Sequence, residues 1–413
     1  MFSRRLLCVA LLLGHAGATL AQTVSHRGFI EGIGFAFPLT TSEDRTRVVG
    51  DLLAREEVSV KPARWLLFAA GLDFRANSHE QVDNRWRIDL SDRGARRPSF
   101  SVRRLSATMT RGPFTLDVGK QFVRWGKTDI VVPTDRFAPR DYLNLVDAPF
   151  LAVTAVRGTA QAGNHTIEAV WAPRFTPSRV PLLGQRWAVI PPDVAPTVAL
   201  VETPPEFPRA GQAGIRWGQI IGKSEYSVSF YNGFNHLPNI RTETVDVRSG
   251  RIEFSRAYPA IRTYGFDSAF VVPWFTIKGE AAYFTSSSPT TDEYLLYVLQ
   301  LERQSGEWVL VAGYAGEVVT ERRSLRTFAP DRGLSRAMVA RAAYTIDPNR
   351  SFEIEGALRQ DGRGMYTKAE YSRARGQHWR DTIAAVVLSG DRDDFFGQYR
   401  RNLHVRLTVR YSF

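Results

Sequence analysis

In the last fourteen residues, 400–413, apolar and polar positions alternate from Asn402 to the end. Leu403, Val405, Leu407, Val409, Tyr411 and Phe413 fall on one side. Asn402, His404, Arg406, Thr408, Arg410 and Ser412 fall on the other, because successive side chains of a strand point to opposite faces of a sheet. A soluble sandwich can alternate too. A strand that stays apolar on one face, carries arginines on the other and ends on Phe413 is what lipid outside and lumen water inside would select.

The same period of two recurs upstream. It predicts strands near 25–38, 47–60, 63–77, 97–110, 114–124, 150–159, 164–172, 210–220, 224–233, 259–270, 274–286, 293–303, 307–320, 334–346, 350–360, 365–374 and 378–390, and a last strand that includes Arg400. In the first, Phe29, Ile33, Phe35 and Phe37 share a face; in the seventh, Ile167, Ala169 and Trp171 oppose Thr166 and Glu168. Tight turns such as Lys61-Pro62, Arg111-Gly112-Pro113, Ile221-Gly222-Lys223 and Arg375-Gly376-Gln377 alternate with longer loops, as barrel hairpins do. The longest irregular stretches are 125–149 and 173–209; the second holds nine prolines and cannot contain a central strand. Residues 82–91 alternate as well and read as a hairpin extension, and 234–258 as a polar loop. The expected fold is all-β: one antiparallel transmembrane barrel of eighteen strands, with sixteen as the alternative count.

The chain start agrees. Arg4 and Arg5 precede the apolar run 6–13, and small residues follow to Ala21, the layout of a secretory signal peptide over 1–21 with the barrel over 22–413. No later stretch reaches the roughly 20 apolar residues of a membrane helix. The single cysteine, Cys8, lies inside that leader, which removes disulfides and thiolate metal sites. The formal net charge is +12. No helical or zinc module accompanies it, so the charge reads as basic side chains lining a lumen or meeting lipid headgroups, not as a nucleic-acid surface.

A barrel of 16–18 strands leaves an aqueous channel, whereas eight leave room only for side chains. Loops must then narrow the passage. The stretch 125–149, with Arg124 just before it and Lys127, Asp135, Arg136, Arg140 and Asp141 within it, is the first candidate; 173–209, with Arg174, Arg179 and Arg186, is the second. Lys278, Arg341, Arg400, Arg406, Arg410 and Arg216 are expected to point inward and to raise the local concentration of anions. Against this stands the blander reading that they pair with luminal Glu168, Glu225, Glu280, Glu353, Glu355 and Glu370 and stiffen the wall.

Two stretches carry a resemblance. The chain end, with an aromatic two from the terminus and a final Phe, resembles the C-terminal signal of bacterial outer-membrane barrels. The run Asp117-Val118-Gly119-Lys120-Gln121-Phe122-Val123-Arg124-Trp125-Gly126-Lys127, followed by Asp135-Arg136-Phe137-Ala138-Pro139-Arg140-Asp141-Tyr142, resembles a signature of porin-like outer-membrane barrels of Gram-negative bacteria, including alginate-export-like ones. Lys120 stands where Arg is usual and Ala138 where Asn is common. The resemblance implies an eighteen-strand barrel for solute passage, partnered by the bilayer, lipopolysaccharide and the barrel assembly machinery. It brings no substrate with it. In the motif itself, Gly126 suits a sharp exit from a strand and Trp125 a polar–apolar boundary.

An enzyme is not expected. The histidines are scattered, and no nucleophile elbow, zinc-binding His-Glu pair or phosphate loop occurs. A cofactor or metal is not called for either. The two function classes are therefore a passive porin for small hydrophilic solutes, with an anion bias, and a non-conducting barrel acting as scaffold, export partner or adhesin.

Overall fold

The computed structural model describes residues 23–189, 198–246, 248–323, 330–360 and 363–413. The predicted leader, 1–21, lies outside the described residues. Strands β1 (Thr23–Ala36), β2 (Val48–Ala63), β3 (Leu66–Asn77), β4 (Val82–Asp89), β5 (Arg97–Arg111), β6 (Phe114–Gln121), β7 (Val153–Ala162) and β8 (His165–Ala172) come first. Then follow β9 (Ala199–Glu202), β10 (Gln212–Ile221), β11 (Ser224–Phe234), β12 (Asn239–Asp246), β13 (Arg251–Ala257), β14 (Ala260–Val271), β15 (Thr276–Ser286) and β16 (Glu293–Ser305). The last are β17 (Trp308–Glu321), β18 (Ala337–Asp347), β19 (Arg350–Arg359), β20 (Met365–Arg375), β21 (Trp379–Ser389) and β22 (His404–Ser412).

Eighteen of these form a closed antiparallel ring. β22 pairs back onto β1, from Phe29 opposite Ser412 to Ala36 opposite Val405. Closure leaves no unpaired edge, which a sheet in hydrocarbon must avoid. Short hairpins occupy one rim. At Arg111 to Phe114 the turn is made by Gly112, at φ +56°, and Pro113, a backbone that favours glycine at the first position.

The outward face is apolar. Leu299, Leu301, Tyr264, Phe266, Val405 and Leu407 are all exposed there. Exposed Trp65, Phe114, Trp274 and Trp379 gather at the short-turn rim, as an interfacial girdle requires. The final strand behaves as its alternation predicts, with Leu407 53% exposed and His404 1% exposed.

Four elements lie outside the ring. β4, in the stretch expected to extend a hairpin, adds parallel to β5 and does not enter the ring. β9, β12 and β13 form a separate three-stranded sheet with β13 in the middle. The stretch 234–258 is therefore not a plain loop. Ile240, Val245, Ile252 and Phe254 supply a short hairpin within it, and the proline-rich segment contributes only an edge strand, β9. The first strand also holds a surprise. Its aromatic face looks inward, with Glu31 on the same face paired to Arg410, while Gly28, Gly32 and Gly34 face the bilayer side.

Candidate solute pathway

The strand predicted over 114–124 stops at Gln121, and the chain turns into the barrel. Asp135 causes this. Its Oδ1 accepts the backbone N–H groups of Trp125 (2.6 Å) and Gly126 (2.8 Å), and its Oδ2 takes the Arg124 guanidinium at 3.1 Å. Trp125 is not at a lipid boundary. It is buried, edge-on to Phe137 at 5.3 Å, with its indole N–H donated to Glu168. A side chain at Gly126 would strike Val132 and the Glu280 carboxylate, so the sharp exit does need glycine.

Glu280, on β15 and 2% exposed, then fastens the loop. Its Oε2 accepts from the Lys127 N–H, the Thr128 N–H and the Thr128 hydroxyl at 3.1, 3.2 and 2.8 Å. Its Oε1 accepts from the Thr134 N–H and hydroxyl at 2.7 and 2.8 Å. One carboxylate thus satisfies five donors of an irregular segment that has no sheet partner of its own. Lys127 reaches Glu225 (2.7 Å) and Asp267 (3.2 Å) on the wall, and Asp129 reaches Lys278 (3.0 Å). The loop lies flat against β7, β8, β11 and β14–β16 over a dry core of Val123, Trp125, Phe137, Tyr231 and Phe284.

A second set of charges binds three loops to one another. Asp141 is held by Arg97 (2.8 Å) and by Arg179 (3.1 Å), Arg179 also reaches Asp92 (2.7 Å), and Asp92 takes Lys120 (2.5 Å). Every member is buried. Burial alone would raise the Asp141 carboxyl, but Arg97 and Arg179 outweigh it and hold it far below the ordinary carboxylate range. Residues 139–142 and 178–179 also share backbone hydrogen bonds. Thus 125–149 and 173–189 form one unit. His236 clips them together again. Nδ1 lies 2.6 Å from the Thr176 carbonyl and Nε2 2.9 Å from the Arg136 carbonyl; burial pushes its pKa down to about 4, and the neutral ring donates its single N–H to one of the two and packs against the other.

Open space survives on the other side of the lumen. A cavity of about 360 Å³ lies between the loop and β18–β21 and is lined by Arg136, Arg140, Arg341, Tyr366 and Trp187. Another, of about 530 Å³, runs along β1–β3 and β22 past Glu31, Asp51, Arg55, Arg75, Asp147 and Arg406.

The predicted pore-lining cations divide. Lys278 pairs with Asp129 and Glu302, Arg406 with Asp147 (2.6 Å) and Glu370 (2.7 Å), Arg410 with Glu31, and Arg216 with Asp267 (3.0 Å). The wall-stiffening alternative describes these four. Arg341 has no ion pair among the described residues and faces the 360 Å³ cavity. Arg400 is not on the wall strand at all. It sits in a 3₁₀ turn, Gly397–Asn402, and its guanidinium returns to the Gly397 carbonyl at 3.1 Å. The parity that places Arg406 and Arg410 does not reach back to Arg400, because Leu403 is where the backbone becomes extended.

Of the loop candidates, Lys127, Asp135 and Asp141 anchor, as does Arg124, which also covers Phe150 at 4.2 Å. Arg136 and Arg140 line the cavity; Arg140 stacks on Phe150 at 3.9 Å and forms no ion pair among the described residues. Sequence reasoning missed Arg55, Arg75, Asp51 and Asp73 on the luminal face of β2 and β3. The signal was present, since Asp51, Leu53 and Arg55 alternate with Leu52 and Ala54.

No family model matches the chain, and no curated protein is similar to it in sequence. Its fold is similar to solved porin structures. OccAB4 of Acinetobacter baumannii superposes with a TM-score of 0.55 at 11% identity, covering 95% of this chain and 99% of that one. A BenF-like porin from Pseudomonas fluorescens Pf-5 gives 0.54 at 7% identity over 95% and 98%. OpdK of Pseudomonas aeruginosa, solved with vanillate, gives 0.51 at 10% identity over 94% and 98%. The chain therefore has the fold of an outer-membrane porin. None of these neighbours is an alginate-export barrel, so that part of the sequence resemblance gains nothing from them.

Proposed function

We propose that the protein is an outer-membrane channel for passive diffusion of small hydrophilic solutes, with a bias towards anions. One observation carries this reading. The inward loops are fastened mainly to the β7–β16 side of an eighteen-strand lumen and leave two cavities, of about 360 and 530 Å³, along the other side, as a constriction does and a plug does not. The anion bias rests on Arg140 and Arg341, which flank that space without an ion pair among the described residues, and on Arg136, whose partner Asp331 is 3.9 Å away; Lys278, Arg406, Arg410 and Arg216 are neutralised by carboxylates. A carboxylate such as the vanillate found with OpdK has the charge that this cavity suits. In the same reading residues 1–21 are a leader removed on export. The C-terminal strand engages the barrel assembly machinery, and lipopolysaccharide surrounds the long-loop rim.

The test is single-channel recording of the refolded protein in planar bilayers under a salt gradient. Steady conductance with a reversal potential favouring anions is expected. Conductance favouring cations would keep the channel and remove the anion bias. A folded protein that never conducts would shift the reading to a non-conducting scaffold.

A further inference from the structure

Most charges inside the barrel have a partner among the described residues, whereas on the outer face a cluster of arginines outnumbers its carboxylates. On the outer surface at the short-turn rim, Arg350 and Arg373 stand directly opposite each other in the β19–β20 register. The next pair inward is Phe352 opposite Tyr371, and then Ile354 opposite Ala369. Phe352 and Ile354 are exposed to the bilayer side, so the period of two puts both guanidiniums on that face as well. Like charges directly opposite on one face destabilise a strand pair.

Nearby carboxylates do not resolve the conflict. Asp347 is used by Arg350 at 2.6 Å, and Asp381, opposite Arg373 on β21, is used by Arg375 at 2.6 Å. Three guanidiniums meet two carboxylates, and Arg373 is left without an ion pair among the described residues. Phe352, Tyr371 and exposed Trp379 mark the aromatic girdle, where hydrocarbon gives way to headgroups. Cations one step beyond it lie at the level of lipid phosphates. The planar guanidinium fork suits a phosphate bidentately.

We propose that the short-turn ends of β19 and β20 form a binding site for an anionic phospholipid of the leaflet at that rim. Arg350 and Arg373 clamp its phosphate, and its acyl chains lie along Phe352, Ile354 and the neighbouring apolar wall. The occupant is a glycerophospholipid, because short turns face the periplasm in porin-like barrels and lipopolysaccharide belongs to the opposite rim. Exposed Arg303, 5.7 Å from the Trp274 ring, continues the cationic belt around the barrel. Nothing in this depends on what passes through the lumen.

Native mass spectrometry of the full barrel, released from micelles holding equal phosphatidylglycerol and phosphatidylcholine, tests the site. Wild type should retain phosphatidylglycerol preferentially, and Arg350→Gln with Arg373→Gln should weaken that preference roughly fivefold or more, chiefly through Arg373 because Arg350 is shared with Asp347. Arg85→Gln with Arg87→Gln, on the long-loop side, should leave it unchanged. Heat-modifiable gel mobility reports folding. If the double variant does not fold, Arg373→Gln alone, which keeps the Arg350–Asp347 pair, should still show most of that loss. Equal retention of the two lipids by wild type would overturn the proposal. So would a full preference in a folded Arg373→Gln variant, or displacement of the lipid by an equal concentration of inorganic phosphate.

Discussion

The two sides of this lumen solve different problems. Towards β8–β16 the inward loop is dry. Trp125, Phe137, Tyr231 and Phe284 exclude water, and Glu280 satisfies the backbone that the loop cannot pair. Towards β1–β3 and β18–β22 the lumen keeps cavities, and charged side chains face each other across water-accessible space. The contrast shows how an irregular segment can sit inside a barrel without blocking it. Most of its backbone polar groups are directed at one wall, and only a few contacts, Asp147 to Arg406 among them, reach across to the other.

Glu280→Ala should break that contrast most. It orphans four donors at once, the Thr128 hydroxyl alone keeping the Val131 carbonyl, and hydrogen bonds to a charged group contribute roughly 1.5–3 kcal/mol each. The loop should leave the wall, so single-channel conductance is expected to rise and flicker between substates. A variant with the steady wild-type trace would show that the dry core holds the loop without Glu280.

Asp141→Asn comes next. It leaves Arg97 and Arg179 buried with half their counter-charge, and breaking a buried pair in this way costs about 3–5 kcal/mol. Thermal unfolding should fall accordingly. The carboxyl is depressed in the folded protein, so its contribution is complete above the unfolded value near 4 and is lost only as pH falls below that. The gap between variant and wild type should therefore stay constant from pH 8 to pH 5. A gap that closes within that window would contradict the assigned pairing.

His236 should give a smaller, pH-dependent effect at the seam between the two loops. Its folded pKa of about 4 lies below the ordinary value near 6.5. The released ring therefore binds protons first. The clip is fully effective above about pH 6.5 and weakens as pH falls towards 4. Added gating noise is expected in wild type across that interval. His236→Gln, whatever its baseline, should show no such step.

How much of this could be read from residue order follows from where each constraint is local. The wall was legible because alternation, turn glycines and closure repeat with a fixed period. Ile167, Glu168 and Trp171 sit where their parity puts them. Arg400 was misplaced because parity carries no signal for where extended backbone begins. The loop's charge was legible, but its fastening was not. Glu280 and Thr134 are separated by 146 residues, and only the closed ring brings them together. The same holds for the luminal arginines. Sequence shows that Arg406 points inward, whereas its neutralisation by Asp147 and Glu370 depends on a loop crossing the lumen.

The finest test of the two-sided lumen compares Lys278 with Arg341. Both are inward cations by parity, yet Lys278 is tied to Asp129 and Glu302 on the dry side, and Arg341 stands at the open cavity without an ion pair among the described residues. A permeating anion about 4 Å from a guanidinium in water gains ~1 kcal/mol before salt screening. Arg341→Glu should then shift the anion-to-cation permeability ratio by about twofold to fivefold at low salt, and less at 1 M, where the Debye length is roughly 3 Å. Lys278→Met should change that ratio little and act instead on loop steadiness, because the charge it removes is already compensated. If Lys278→Met moved the reversal potential as far as Arg341→Glu, solutes would be passing on the dry side, and the division of the lumen drawn here would be wrong.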